Sequence, residues 1–286
     1  MPGGRLHFGV PVLIGTSGWQ YRDWRGVLYP PGVGQRGWLE YYAGQYATVE
    51  NNGSFYRLPN RETFAAWRAR TPGDFVMAVK ASRYLTHVRR LRDPAEPTAR
   101  LLRVAAGLAD RLGPVLLQLP PNLPADPGAL DACLTEFARF PMAAGSPPEP
   151  GETPAAARAA GNGVRVVVEC RHASWWTGEI RELLARHDAA LCWSDRLGQP
   201  VSPLWRTAGW GYLRLHEGDA RPWPRYREDA LRAWVHRIGE TWPDDADVFV
   251  FFNNDPGGAA VRDAAAFASI AREAGRPVSR TAVPGP

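Results

Sequence analysis

The side chains in this chain that could do chemistry share one kind of address: they end short apolar runs. TVENN places Glu50 and Asn52 there, FVMAVK ends in Lys80, and VLLQLPP carries Gln118. VVVECRH delivers Glu169, Arg171 and His172; LCWSD ends at Asp195; YLRLH ends in Arg214 and His216; FVFFNN ends in Asn253 and Asn254. Carboxylates set among cations and an imidazole make an acid/base apparatus once burial or a neighbour tunes one of them toward neutrality. On that ground Glu50, Lys80, Glu169, Asp195 and His216 are the catalytic candidates. Glu169, Asp195 and His216 come from three successive runs and have the layout of a divalent-metal site, the one cofactor the residues suggest. No HxH or HExxH pattern reinforces it, and nearby Arg and Lys already supply the charge a cation would.

Lys80 is singular. The chain has 34 Lys and Arg together, and every one except Lys80 is arginine. Where a bare cation suffices, arginine stands. At Lys80 the expected need is a compact, rotatable ammonium, or an amine that can lose its proton. His87 follows closely in a TH pair. The stretch GTSGWQYRDWRG supplies glycines that permit close backbone approach, and its amides could hold an anion. Trp19, Tyr21, Trp24, Phe55, Tyr56, Trp175 and Trp176 flank the polar residues, where rings could stack sugars or bases, or pack the loops together.

These residues need elements to hold them. The pattern predicts strands over 12–15, 48–52, 75–80, 115–119, 165–169, 190–193, 211–215 and 248–252. Helices are predicted over 37–46, 61–70, 98–112, 127–140, 177–187, 227–241 and 258–274, with 196–209 as loop. Alternating strands and helices imply parallel βαβ units, and eight of them imply a TIM-type (β/α)8 barrel forming a single α/β domain over 1–286. A doubly wound sheet is the alternative, but no GxGxxG follows the first strand. Residues 141–163, rich in Pro, Gly and Ala, read as a flexible surface insertion.

Side chains alternate faces along a strand. Glu50 and Asn52 share a face, as do Ala78 and Lys80, Glu169 and Arg171, Trp193 and Asp195, and Arg214 and His216. A charge turned toward the helices would be buried unpaired at high cost, so the charged parity is expected to face the barrel mouth. The expected mouth sets Glu50, Glu169 and Asp195 against Lys80, Arg171 and Arg214, with His216 between.

Composition bounds the rest. The chain has 286 residues, 45% hydrophobic, enough for a full core. It has no apolar run long enough to span a bilayer and no convincing signal peptide, so it reads as soluble and cytoplasmic, with no membrane partner. Cys133, Cys170 and Cys192 form no CxxC pair and read as buried free thiols. A net charge of +5 favours anionic partners: a small phosphorylated substrate, or nucleic acid. Nothing in the pattern specifies an oligomeric state.

Together GTSGW (15–19), TVENNGSFYRLP (48–59), FVMAVKASRYLTH (75–87), QLPP (118–121), VECRHASWW (168–176), RLH (214–216) and FFNN (251–254) resemble the domain-of-unknown-function 72, or YecE-like, family across almost the whole chain. The resemblance implies a TIM-type barrel. It implies no settled activity; the family is described as related to sugar isomerases, with a barrel similar to that of metal-dependent endonucleases. Carried over by position, its polar residues fall on Ser17, Trp19, Glu50, Asn52, Tyr56, Lys80, His87, Gln118, Glu169, Arg171, His172, Asp195, Arg214, His216, Asn253 and Asn254. Those outside the catalytic set are substrate-binding candidates. Asn51 and Gly53 depart from the family pattern, and the glycine is expected to loosen its loop.

Four functions compete. The first is an isomerase or hydrolase of an anionic, phosphorylated sugar-like substrate, with Lys80, Arg171 and Arg214 on the anion, Glu50 or Glu169 as base and His216 or His87 as acid. The second is a nucleic-acid binder or metal-assisted phosphodiesterase. The third is a Schiff-base enzyme using Lys80, weakened if the acidic neighbours raise the amine's pKa. The fourth is a non-catalytic ligand-binding protein.

Overall fold

Apolar runs of four to seven residues produce most of the strands, and three of the helices between them begin at side-chain caps. The computed structural model describes residues 12–140 and 163–283; the expected insertion lies almost entirely outside the described residues. Strands are β1 (Leu13–Thr16), β2 (Thr48–Asn51), β3 (Val76–Lys80), β4 (Leu112–Gln118), β5 (Val166–Glu169), β6 (Ala190–Leu191), β7 (Trp193–Arg196), β8 (Gln199–Pro200), β9 (Gly211–Leu215) and β10 (Val248–Phe252). Helices are α1 (Trp38–Gln45), α2 (Gly53–Tyr56), α3 (Arg61–Ala69), α4 (Ala95–Ala105), α5 (Pro127–Arg139), α6 (Gly178–Arg186), α7 (Glu228–Thr241) and α8 (Ala259–Glu273). Asn60, Asp126 and Thr177 each accept a backbone N–H of the first turn of α3, α5 and α6, satisfying donors that a helix start leaves open.

Two five-stranded sheets result, ordered β1-β10-β9-β7-β8 and β2-β3-β4-β5-β6. Every pairing is parallel except the hairpin β7–β8. The expected sixth strand is therefore two pieces separated by Cys192, and it runs on to Arg196. Part of the expected loop 196–209 is the returning strand, turned through Leu197 and Gly198, both at positive φ. One further parallel bridge, Ser17 to Glu50, joins the end of β1 to β2. Gly15 makes that approach feasible: a Cβ there would lie 2.4 Å from the Thr48 carbonyl oxygen. The expected helix over 98–112 ends at Ala105 and tightens into a 3-10 stretch (Ala106–Arg111), with Ala109 at φ 45°.

Strand parity divides the core. One face forms a compact cluster of Leu13, Ala78, Leu116, Val167, Ala190, Cys192, Tyr212, Phe249 and Phe251. The other face, including Val49, Val79, Leu117, Val168, Leu213 and Val250, packs against the helices. Such two-sided burial is why these strands are nearly continuous in apolar residues. The three cysteines are buried and free, and desolvation raises all three thiols. Among the described residues no helix is long and apolar enough to cross a membrane.

Candidate functional site

Two residues beyond Ala78, Leu116, Val167, Tyr212 and Phe251 on the same faces come Lys80, Gln118, Glu169, Arg214 and Asn253. Parity thus carries these five to the carboxyl ends of the strands, over the smaller cluster. Arg214 organises them. Its Nε and Nη2 donate to Glu50 at 2.9 Å each, and its Nη1 donates to Glu169 Oε2 at 2.6 Å. Glu50 is fully buried, and Glu169 and Arg214 are each 2% exposed. A planar guanidinium fork reaches two carboxylates at once in a way an ammonium cannot.

The remaining oxygen lone pairs are also occupied. Glu50 accepts from Ser17 Oγ at 2.8 Å, Asn52 Nδ2 at 3.1 Å and Tyr212 Oη at 2.6 Å. Glu169 accepts from Gln118 Nε2 at 2.8 Å and Arg171 Nε at 3.2 Å, and its Oε1 lies 3.2 Å from His216 Nε2. Desolvation pushes both carboxyls up, but the Arg214 charge and the hydrogen bonds outweigh it, and both end below the usual glutamate value. Carboxylates so well satisfied are poor proton acceptors near neutrality.

Lys80 stands apart from this pairing. Its Nζ donates to Gln118 Oε1 at 2.9 Å and lies 4.3 Å from the centre of the Phe55 ring. Local chemistry fixes that arrangement. Asn51 Oδ1 accepts the Ser54 N–H at 3.1 Å, and Ser54 Oγ donates to the Lys80 carbonyl at 2.6 Å. The short helix α2 is thereby pinned to the end of β3, with Phe55 over the ammonium. The Asn51–Gly53 departure builds a capped turn rather than the looser loop expected of it. Burial, then the Arg214 charge, lowers the Lys80 amine to about 8, against the opposing pull of Glu50 and Glu169. The acidic neighbours do pull the amine upward as expected, but burial and the Arg214 charge together outweigh them.

His216 and His87 flank the cluster differently. His216 accepts Asn253 Nδ2 at its Nδ1, 2.9 Å away, which leaves Nε2–H to face Glu169. His87 stands edge-on to Phe55 at 4.9 Å, with its Nδ1 2.9 Å from Thr86 Oγ1. Desolvation, then the charges of Lys80, Arg171 and Arg83, lowers its pKa, so it is a neutral imidazole at pH 7. Tyr56 next to Phe55 is 75% exposed, an aromatic face open to solvent.

Four candidates fall elsewhere. Asp195 follows the parity of Trp193, which packs on Trp234 and Trp242 in the helical layer. Its Oδ1 accepts the His216 backbone N–H at 2.6 Å, and Tyr226 lies beside it. A buried carboxyl facing the helices is tolerable because it finds these donors and because desolvation lifts it to about 6. Asn254 binds Asp263 and the Pro224 carbonyl. Trp19 is 5% exposed and packs edge-on to Trp67, and His172 caps a 3-10 turn through the Ser174 N–H.

The metal layout fails on the same geometry. Glu169 and His216 meet, but Asp195 spends Oδ1 on a backbone N–H, and Glu169 is already held by two guanidinium groups. Among the described residues no three His, Cys, Asp or Glu converge as a ligand set. The donor set does not fit a divalent ion.

Sequence reasoning missed two groups at the cluster and one beside it. Tyr212 shares parity with Arg214 but has no charge to draw notice. Phe55 was noted only as one aromatic among several. Asp255, two residues past Asn253, is raised to about 7, by desolvation first; the only signal for it was adjacency to FFNN.

Comparison places the chain among known proteins. It is 24% identical over 279 residues to the UPF0759 protein YunF of Bacillus subtilis, covering 87% of this chain and 90% of that one. A crystal structure of a DUF72 family protein from Thermotoga maritima superposes with a TM-score of 0.72 at 25% identity, covering 92% of this chain and 99% of that one. The D-psicose 3-epimerase of Clostridium cellulolyticum H10, solved with D-tagatose, shares the fold at a TM-score of 0.50 and 14% identity, covering 92% and 99%. The family model described as protein of unknown function DUF72 matches residues 13–286, and the chain belongs to that family.

Proposed function

We propose that the parallel strands close into a TIM-type (β/α)8 barrel whose carboxyl-end cluster is the active site of an enzyme acting on an anionic, phosphorylated sugar-like substrate. The closure reading is supported by the continuity of β6 into β7 across Cys192 and by the Ser17–Glu50 bridge between β1 and β2. Catalytic groups of such barrels lie at the strands' carboxyl ends. One observation carries the substrate class. Arg214 is shared by Glu50 and Glu169, while Lys80 and Arg171 add two further cations, so the cluster is one charge positive when Lys80 is protonated. Arg171 has 40% of its side chain exposed, while Lys80 keeps 7% exposure beside it in the cluster; as cations both can hold a phosphate oxygen.

Proton transfer falls to His87, a neutral imidazole, and to Lys80, whose amine is lowered to about 8, rather than to Glu50 or Glu169, whose carboxyls are held below the usual glutamate value. Glu50, Glu169 and Arg214 position. Tyr56 offers a sugar-stacking face, and Asn52, Gln118, His216 and Asn253 line the approach. Isomerisation and hydrolysis both suit this set, and a cytoplasmic setting suits its free thiols. The test is a panel of sugar phosphates and phosphoesters, assayed with and without divalent metal and with Glu169→Gln as control. Turnover lost in the variant supports the reading; no turnover on any member counts against it.

A nucleic-acid reading is favoured by the net charge of +5. Binding to DNA or RNA that falls steeply between low and physiological salt would support it, and undetectable binding at low salt would remove it. A ligand carried through purification from a protein without turnover would point to a binding role.

A further inference from the structure

We propose that Lys80 is a nucleophile that condenses with the carbonyl carbon of an aldehyde or ketone substrate to form an imine; this rests on the reading of the cluster as an enzyme site for anionic sugar-like molecules.

Four features of the geometry point there. Nζ has a neutral partner, Gln118 Oε1, and no carboxylate within ion-pair reach among the described residues. The two nearby acids, Glu50 and Glu169, are instead committed to Arg214, which therefore acts on Lys80 as a like charge. Phe55 covers one side of the amine at 4.3 Å, and the residue is only 7% exposed. Burial and the like charge disfavour the ammonium, while the Gln118 oxygen and the ring face favour it without supplying a counter-charge. The fourth is His87, its ring 4.9 Å from the same phenyl ring, a neutral imidazole able to take or return a proton. An amine titrating at about 8 has roughly a tenth of its molecules deprotonated at pH 7, far more than an ordinary lysine. Desolvation beside another cationic group is a recognised way to activate a lysine.

The step balances without oxidant or reductant. The Nζ lone pair bonds to the carbonyl carbon as the π pair moves to oxygen. Nitrogen gives up its two protons to that oxygen, through His87 or solvent; the oxygen leaves as water and the C=N bond forms. Reprotonated, the imine draws electrons from the adjacent carbon, which eases proton loss there, the step an isomerase or epimerase needs. Hydrolysis restores the amine.

Because Lys80 is the chain's lone lysine, the experiment has one side-chain target. The folded protein is incubated at pH 7 with dihydroxyacetone phosphate and reduced with borohydride; the adduct is read by intact mass and placed by peptide mapping, which separates Lys80 from the N-terminal amine. The same protein unfolded in guanidinium chloride, where Lys80 is an ordinary lysine, gives the reference rate. Labelling of Lys80 at least tenfold faster in the folded chain, and none at that position in Lys80→Arg, is expected. Labelling no faster than in the unfolded chain, or on the N-terminus alone, overturns the proposal. Inorganic phosphate and unphosphorylated dihydroxyacetone separate the two readings. Protection by phosphate upholds both. Equal labelling by dihydroxyacetone without phosphate protection upholds the nucleophile and removes the anionic substrate. Phosphate binding without an adduct overturns the nucleophile and leaves the anion site standing.

Discussion

Replacing Lys80 with methionine should make the protein more stable at pH 7, and this is the sharpest test of whether the lysine serves the fold or the chemistry. Met keeps the unbranched stem out to Cε and drops the charged nitrogen. The folded amine titrates at about 8, whereas in the unfolded chain it titrates at about 10.4, a difference worth about 3 kcal/mol against the folded ammonium at pH 7. Met removes that penalty. It also removes the bond to Gln118 Oε1 and the contact with Phe55, together worth about 1–2 kcal/mol. The balance is a gain of about 1–2 kcal/mol, or roughly 2–8 °C in Tm for a chain of this size.

The sign with pH follows from proton binding. Between pH 8 and 10.4 the unfolded chain binds more protons at this residue than the folded one, so wild-type stability rises with pH across that window. The penalty is complete below the folded value and falls to under about 1 kcal/mol at pH 10. Urea unfolding of both proteins at pH 7 and pH 10 reads it directly. The variant should lead at pH 7 and lose the lead at pH 10. A methionine variant more than 1 kcal/mol less stable at pH 7, or a difference independent of pH, would refute the claim that Lys80 is a buried cation lacking a carboxylate partner.

Three further outcomes follow from the same geometry. Arg214→Met strands two buried carboxylates and should cost about 3–5 kcal/mol, read in urea at pH 7; the neutral donors left on Glu50 and Arg171 left on Glu169 put it at the lower end. The pH dependence should also invert: in wild type the lowered glutamates contribute stability that is complete above the unfolded glutamate pKa and lost as pH falls through the folded values, whereas unpaired buried carboxylates gain by protonation, so the variant should recover part of its loss at pH 5. Tyr212→Phe deletes a 2.6 Å bond to Glu50 and should cost about 1.5–3 kcal/mol, measured by denaturant unfolding at pH 7. His87 should titrate below the ordinary histidine value by NMR, and Lys80→Met should move its midpoint upward, because the Lys80 charge helps hold it down.

Much of the site was legible because one rule serves it. Apolar runs that end in a polar residue, read with a period of two, put Glu50, Lys80, Gln118, Glu169 and Arg214 in one place, and they do meet. The same rule went wrong at Asp195, where charge was allowed to decide the face. Ala190 and Cys192 lie in the smaller cluster, so the period of two itself sends Asp195 to the helical side. A burial penalty disfavours a charge only where donors are absent, and the His216 backbone N–H is a donor that no sequence displays. Nor does a count of charges say who pairs with whom. Three positives set against three negatives leave the pairing open, and in the structure a single guanidinium fork serves both glutamates and leaves Lys80 with a neutral amide.

That uneven pairing separates scaffold from function within one cluster. Arg214, Glu50 and Glu169 satisfy one another, with Ser17, Asn52, Tyr212 and Gln118 filling the remaining positions. Nothing in that closed set requires a second buried cation. Lys80 adds a charge to a cluster that Arg214 and Arg171 already bring to neutrality against Glu50 and Glu169, at a cost in stability that a methionine would avoid. A residue kept in such a place does no structural work that a neutral side chain could not do better. Its role is therefore to be sought in what arrives from solvent: an anion that completes the charge balance, or a carbonyl that takes the amine's lone pair.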